Sequence, residues 1–367
     1  MLVGAGHAHV EVLRAFALRP MPGVRLTLVT REVDTPYSGM LPGFVAGHYG
    51  FDDIHIDTGP LTRRAGGRLY QDEAVGLDLA RRLVLCRDRP PVPYDVLSLD
   101  IGSRPNTSAV PGAAEHAIPV KPIDGFLARF EALRARVLAG DSRHVLLVGG
   151  GAGGVELMLS VERRLRRDAG DRALRFTLVS GADPILPGFP ASFRARFAAV
   201  LAARGIEVHA GARVVAIDGA GVTLADGRRI EADETLWTTE AAPAIWLADT
   251  GLALDPGGFL RVDAGLRAIG HPDILAAGDM VAFDPGGARR SGVYAVRTGP
   301  VLAANIRAWL AGRRPRRYRP QRDALYLVST GDTHAIGTRN GVTFEGDWVW
   351  RVKDWIDRRF MARFRAC

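Results

Sequence analysis

Two cysteines in 367 residues, Cys86 and Cys367, are too few for a disulfide framework and form neither a C-x-x-C redox pair nor a metal-ligand spacing. Lysine is as scarce, with only Lys121 and Lys353 among 48 basic residues. The net charge of +8 is therefore almost all arginine, spread along the chain, and reads as compositional bias rather than as a nucleic-acid footprint. No apolar run approaches the ~18 residues of a membrane-spanning helix, and no charged-then-apolar secretory leader opens the sequence, so a cytoplasmic location is expected. The nine histidines are dispersed, and no metal site is expected from them. What remains, 47% hydrophobic and 24% charged residues, is the make-up of a globular protein. Since single cores stop growing at roughly 250 residues, the length asks for two domains and a smaller appendage.

An internal echo organises the chain. Met1-Leu2-Val3 runs into Gly4-Ala5-Gly6-His7-Ala8-His9 and a helical stretch from Val10 to Leu18, followed by a strand from Val24 to Thr30. His144-Val145-Leu146-Leu147-Val148 runs into Gly149-Gly150-Gly151-Ala152-Gly153-Gly154, a helix to about Arg167 and a strand from Arg175 to Ser180. Only Met1 precedes Leu2 in the first strand, so an upstream extension of that strand is expected. Antiparallel meanders are expected over Arg68–Cys86, closed by Arg89-Pro90-Pro91, and again over Ile206–Trp237. A helix is expected from Gly292 to Leu310, and the arginine- and proline-rich segment from Arg313 to Pro320 reads as a connector. The fold class is α/β with two Rossmann-like units.

The chemistry of a G-x-G-x-x-G turn is that backbone amides and a helix N-terminus meet a diphosphate, which side chains on the first two glycines would block. Gly149, Gly151 and Gly154 complete that pattern. In the first unit Gly4 and Gly6 fit, but His9 holds the third place, where a small residue normally allows close helix–strand packing. His7 and His9 are read as steric elements near the phosphates, because nothing supplies further metal ligands. The carboxylate that binds ribose hydroxyls at the second strand's end is missing from both units. Those places hold Thr30 and Ser180, with Glu32 and Asp183 close by. The lack of an arginine there favours NADH over NADPH.

Tyr94-Asp95-Val96-Leu97-Ser98-Leu99-Asp100-Ile101-Gly102-Ser103 resembles the Y-D-x-L-x-x-A-T-G-S segment of the pyridine nucleotide-disulfide oxidoreductase superfamily, with Asp100 and Ile101 where Ala and Thr are usual. Ile274-Leu275-Ala276-Ala277-Gly278-Asp279 is similar to that superfamily's second FAD motif, whose aspartate contacts the ribityl chain. Within it the chain resembles the type II NADH dehydrogenases. It looks nearest to an FAD/NAD-binding subgroup associated with selenide, water dikinase, through Thr35–Gly43, Val120–Asp124, Gly292–Pro300, Tyr318–Asp323 and Trp348–Asp354. The resemblance implies an FAD domain of residues 1–112 and 246–312, interrupted by an NAD(P)H domain of residues 113–245. Residues 313–367 then form a C-terminal cap, interface or membrane-surface region.

On that likeness the FAD contacts are Gly4, Gly6, His7, Ala8, His9, Thr30, Arg31, Ser38, Gly39, Met40, Ala74, Val75, Asp100, Ile101, Gly102, Gly278, Asp279, Tyr294, Ala295 and Val296. The NAD(P)H contacts are Gly149, Gly151, Ala152, Gly153, Gly154 and Ser180. Glu156 is expected near the nicotinamide and flavin faces, and Lys121 near the flavin's reactive edge. The implied activity is hydride transfer from NADH or NADPH to FAD and onward to a quinone or similar small acceptor, without a redox disulfide. Glutamines that type II enzymes carry in the matching segment are here Val293 and Arg297. Flavin chemistry on sulfur or selenium compounds, and a flavin-binding sensor without turnover, are the alternatives. Near the end, Trp348, Val352, Trp355, Ile356, Phe360 and Phe364 recur at helical spacing. That stripe suits either peripheral contact with the inner face of the cytoplasmic membrane or packing on the flavin domain or a second subunit in a homodimer.

Overall fold

The computed structural model describes every residue except 108, 240, 288–291, 322 and 366–367, and for residue 124 the backbone alone. Cys367 thus lies outside the described residues.

Two parallel sheets form the frame. In the first, strands Leu2–Val3, Thr27–Thr30, Arg68–Gln71, Leu97–Leu99 and His271–Ala276 run parallel, with Leu2 opposite both Leu28 and Ser98 and Ile274 opposite Leu97. Leu260–Val262, Arg267–Ala268 and Val281–Phe283 extend one edge. In the second sheet, Ala117–Pro119, Glu234–Trp237, His144–Val148, Arg175–Val179 and Ile206–His209 are all parallel. His144–Val148 is buried along its whole length, with Val145 and Leu147 on a face covered by helices and Leu146 and Val148 clustered on the other with Val214, Ile217, Val222 and Leu224 of an antiparallel ribbon. The first face is covered by the helix Ile123–Ala139, whose Phe126 and Phe130 are fully buried, and by the helix Ala152–Ala169 beside it. Burying a phenylalanine of this kind stabilises by about 1.5–3 kcal/mol.

Both expected meanders are shorter than their sequence suggested. Arg68–Gln71 pairs in parallel with Thr27–Thr30, so the antiparallel ribbon is only Ala74–Asp78, Leu83–Cys86 and Val92–Pro93. Ile206–His209 and Glu234–Trp237 likewise belong to the second parallel sheet, leaving Val214–Asp218, Gly221–Leu224 and Arg229–Glu231 as the ribbon. The cause is visible at Glu234. Its charge suggests a surface strand, yet the carboxylate is buried, gripped by the Arg136 guanidinium and by Ser142 Oγ at 2.8 Å.

The chain crosses between sheets twice, and the crossings pair with each other as Arg104–Pro105 against Ala241–Ala242. On another side Arg164 Nη1 and Arg167 Nη1 donate to the Val45 and Ala46 carbonyls, at 3.4 and 3.2 Å, at the end of the helix Leu41–Ala46. The C-terminal region is a three-stranded antiparallel sheet, Tyr326–Ser329, Ala335–Arg339 and Val342–Gly346, followed by the helix Asp347–Arg365. That helix does not present one apolar stripe. Val349, Phe360, Met361 and Phe364 are buried, whereas Trp348, Val352, Trp355 and Ile356 are exposed.

Candidate functional site

The first turn starts where Leu2–Val3 ends. Gly4, at φ +84°, donates to Val29 O at 2.8 Å, and Gly6 donates to Asp100 O at 3.1 Å. A Cβ on Gly4 would lie 2.4 Å from that same Asp100 carbonyl, so the position admits only glycine. The helix His7–Leu18 follows, and its Ala8 and His9 amides donate to Asp100 Oδ2 at 2.9 and 3.1 Å. Asp100 is 2% exposed, and burial pushes its carboxyl up to about 7 against the pull of those two amides.

His9 does not face the phosphate side of the turn. Its ring is fully buried beneath it, with Nδ1 2.6 Å from Gly4 O and Nε2 2.8 Å from Ser98 Oγ. Burial lowers its pKa to about 4, so the ring is neutral. A carbonyl can only accept, so Nδ1 carries the proton and Nε2 accepts from Ser98. The third glycine is thus replaced by a brace that holds the turn to the strand below.

A cleft of about 370 Å³ opens above this turn at the carboxyl ends of the parallel strands, where open α/β sheets bind ligands. Gly4, Gly6, His7, Thr30, Arg31, Ser38, Ala74, Asp100, Ile101, Gly102, Lys121, Gly278, Asp279 and Ala295 line it, all of them expected. Ala8, His9, Gly39, Met40, Val75, Tyr294 and Val296 do not. Ala8 is held on Asp100, Met40 and Tyr294 are buried, Val75 is exposed, Val296 packs on the first lobe's core, and Gly39 gives its carbonyl to Lys353. Asp72, Glu73 and Trp246 line the cleft without having been singled out. Asp72 directly follows Arg68–Gln71, so reading that segment as a parallel strand would have found it.

Among the described residues, two polar atoms of side chains that line this cleft are buried without a hydrogen-bond partner, Asp279 Oδ1 and His7 Nε2. The other Asp279 oxygen, Oδ2, accepts from Lys121 Nζ at 2.6 Å, and Nζ also donates to Ser103 Oγ at 3.2 Å. Burial holds His7 near pKa 4 despite Asp279, with Lys121 pushing the same way, so its ring is neutral. An uncharged ring nitrogen and one carboxylate oxygen in a cleft floored by a glycine turn are what a hydroxyl-bearing dinucleotide such as FAD would satisfy.

The second turn repeats the logic. Gly149, at φ +132°, donates to Val179 O at 2.8 Å. A Cβ on Gly154 would meet Gly149 O at 1.9 Å, while Cβ atoms on Gly151 and Gly153 would meet nothing within 4 Å. The outer face of the turn, where the helix Ala152–Ala169 begins, is therefore open for a ligand. Ser180 Oγ is engaged within its own turn, donating to Ala182 O at 3.0 Å and accepting from Ala182 N at 3.1 Å.

A family model for the pyridine nucleotide-disulphide oxidoreductases matches residues 1–305. The chain belongs to that family. FAD and a nicotinamide nucleotide, the ligands expected from the sequence, are those the family uses. Among relatives, an NADH dehydrogenase-like protein of Mycobacterium tuberculosis is 29% identical over 233 residues, 62% of this chain and 58% of the relative. The type II NADH:quinone oxidoreductase Ndh of the same organism is 28% identical over 293 residues, 71% of this chain and 62% of the relative. A protein named probable ferredoxin reductase, from Castellaniella defragrans, is 30% identical over 296 residues, 76% and 67% respectively. The chain thus spans 58% to 62% of the length of the first of these curated relatives. Among solved structures, the sulfide:quinone oxidoreductase of Aquifex aeolicus superposes with a TM-score of 0.83 at 18% identity, over 100% of this chain and 91% of that one. That likeness is one of fold.

Set in a member of this family, Glu156 takes an unexpected place. It does not line the cleft. It is buried on the helix Ala152–Ala169 and turned to the C-terminal region, where Oε1 accepts from Ser329 N at 2.8 Å and lies 3.9 Å from Lys353 Nζ. Lys353 donates to Asp357 Oδ2 and to Gly39 O, both at 2.8 Å, and Tyr37 OH donates to Asp357 Oδ1 at 3.2 Å. Burial raises the pKa of Glu156 against the opposing charge of Lys353. Burial disfavours the Lys353 charge too, but Asp357 and Glu156 outweigh it and hold that pKa up. The cluster was missed because its members come from four segments far apart in sequence. Cys86 is the only cysteine among the described residues, a half-buried thiol on the first ribbon whose pKa burial raises.

Proposed function

We propose that this chain is an FAD-dependent NAD(P)H dehydrogenase that passes electrons to a quinone or similar small acceptor without a disulfide relay. The observation that carries the reading is the pair of atoms without a partner among the described residues, Asp279 Oδ1 and His7 Nε2, on side chains lining the cleft above the first of two glycine turns. Bound FAD supplies hydride acceptance and onward electron delivery. The protein's part is to hold and orient. Asp279 would take a ribityl hydroxyl, Lys121 holds the other Asp279 oxygen and adds positive charge at the cleft, and the turn at Gly149–Gly154 would take the nicotinamide nucleotide's diphosphate. Arg164 and Arg167 help to fix the two lobes against each other. Purified protein should be yellow, and anaerobic mixing with NADH should bleach it, after which short-chain quinones, ferricyanide and ferredoxin are compared as acceptors. A flavin that NADH leaves oxidised would turn the reading into that of a sensor.

The exposed Trp348, Val352, Trp355 and Ile356, with Arg359 set 5.3 Å over the Trp355 ring, support peripheral attachment to an anionic membrane. No helix among the described residues is long and apolar enough to cross one. The full chain should co-sediment with vesicles containing phosphatidylglycerol, and Trp348→Ser with Trp355→Ser should abolish this. Vesicle-independent dimerisation lost in the same variant would assign the face to a second subunit.

A further inference from the structure

Asp100 stands where the first turn should be most welcoming to an anion. Its Oδ2 already takes the Ala8 and His9 amides, two of the donors that a helix N-terminus leaves without intrahelical partners. Only the bare Cα of Gly6 separates the carboxyl from the outside of the turn, because a Cβ there would lie 2.4 Å from both Asp100 Cγ and Oδ1. Oδ1 also backs onto Gly278, whose Cβ would sit 2.2 Å away. Asp100 is thus wedged between the two glycine segments that face the cleft, and it is itself part of the lining.

We propose that Asp100 makes FAD binding conditional on a proton: its carboxyl group must be neutral before a diphosphate can settle on the Gly4–Gly6 turn, so that flavin is retained at low pH and released as pH rises. The proposal rests on FAD as the occupant of this cleft. A carboxylate and a diphosphate on the same helix end repel one another across one thickness of backbone. No cation among the described residues pairs with Asp100 to relieve this. Lys121, the nearby ammonium, is directed to Asp279. The other titratable groups around the turn are His7 and His9, both neutral, Asp279, whose charge further favours protonation of Asp100, and the Met1 ammonium, whose pKa burial lowers to about 6 and which acts on His9; Arg31, Glu32, Asp72, Glu73 and Arg104 line the same cleft. With Oδ2 committed to the two amides, Oδ1 is the oxygen that carries the proton, which comes from solvent. Burial already brings Asp100 to about 7 without the ligand, so the proton is available at ordinary pH.

The sign follows from linkage. A bound diphosphate raises the Asp100 pKa above its ligand-free value, so affinity is full below about pH 7 and declines above it. The test is to titrate the flavin-free full chain with FAD from pH 6 to 9 by flavin fluorescence, for wild type and Asp100→Asn. Asparagine keeps an acceptor for both amides and is permanently neutral. Wild-type Kd should weaken by about tenfold per pH unit above pH 7, while the variant stays tight and flat. Calorimetry at pH 8 in two buffers of different ionisation enthalpy should show the wild type taking up close to one proton per FAD. This second measurement needs no variant. A flat wild-type Kd with no proton uptake overturns the Asp100 proposal while leaving FAD as the cofactor. An equal pH slope in a folded Asp100→Asn assigns the proton elsewhere and also overturns it. Failure of the wild type to bind FAD at any pH sinks both.

Discussion

Asp279 has one oxygen paired to Lys121 and one buried with no donor among the described residues, which is costly unless a ligand completes it. Asp279→Ala should weaken FAD binding by about 10- to 100-fold, the range for losing a buried charge-assisted hydrogen bond. Unchanged affinity in a fluorescence titration would remove Asp279 from the site. Gly154 tests the other turn, since an alanine methyl cannot sit 1.9 Å from the Gly149 carbonyl. Gly154→Ala should keep its flavin yet lose about tenfold or more in the rate of flavin reduction by NADH, followed by stopped flow. Both turns were legible from sequence because their demand is on the backbone, and the order of Gly149, Gly151 and Gly154 states it directly. The role of His9 was not, because the partner of its Nε2, Ser98, lies far along the chain on the neighbouring strand.

The helix Asp347–Arg365 shows how a correct pattern misleads about a face. Residues 348, 352, 356, 360 and 364 form one row of four-residue steps, and each step overshoots a helical turn by about 40°. The row therefore winds from the exposed side at Trp348 to the buried side at Phe360 and Phe364. On the buried side runs a polar seam of Lys353 and Asp357, with Asp354 at its flank, which ties the helix to Glu156, Tyr37 and Tyr49. Lys353→Met would leave Glu156 and Asp357 buried together with no cation between them. We expect a loss of about 3–5 kcal/mol, the cost of breaking a buried ion pair from one side, read from the urea midpoint. A midpoint equal to wild type would mean that water already reaches the cluster. Asp357→Asn should be milder, because Lys353 keeps Glu156 and the Gly39 carbonyl.

Across the whole molecule, the buried histidines and Asp100 set opposing pH dependences. His7 and His9 titrate near 4 in the fold against an ordinary 6.5. Between those values the unfolded chain binds protons that the native chain refuses, so acidification costs stability. Asp100, near 7 against an ordinary 3.8, binds its proton first in the native state and loses stability as pH rises through 7. His9→Gln should therefore lose less stability than wild type between pH 6.5 and 4, and equal losses in urea titrations would show His9 to be protonated in the fold. The arginine excess, read from sequence as bias, partly serves the architecture, with Arg164, Arg167 and Arg307 donating to main-chain carbonyls across element boundaries. The paired crossings at Arg104–Pro105 and Ala241–Ala242 tether the lobes along one line, and Arg164 and Arg167 fasten them along another. A plate clamped at two seams resists swinging like a jaw. The spacing between its two mouths is thus largely set when the chain folds, and a cofactor meets a gap that these seams hold near its final width.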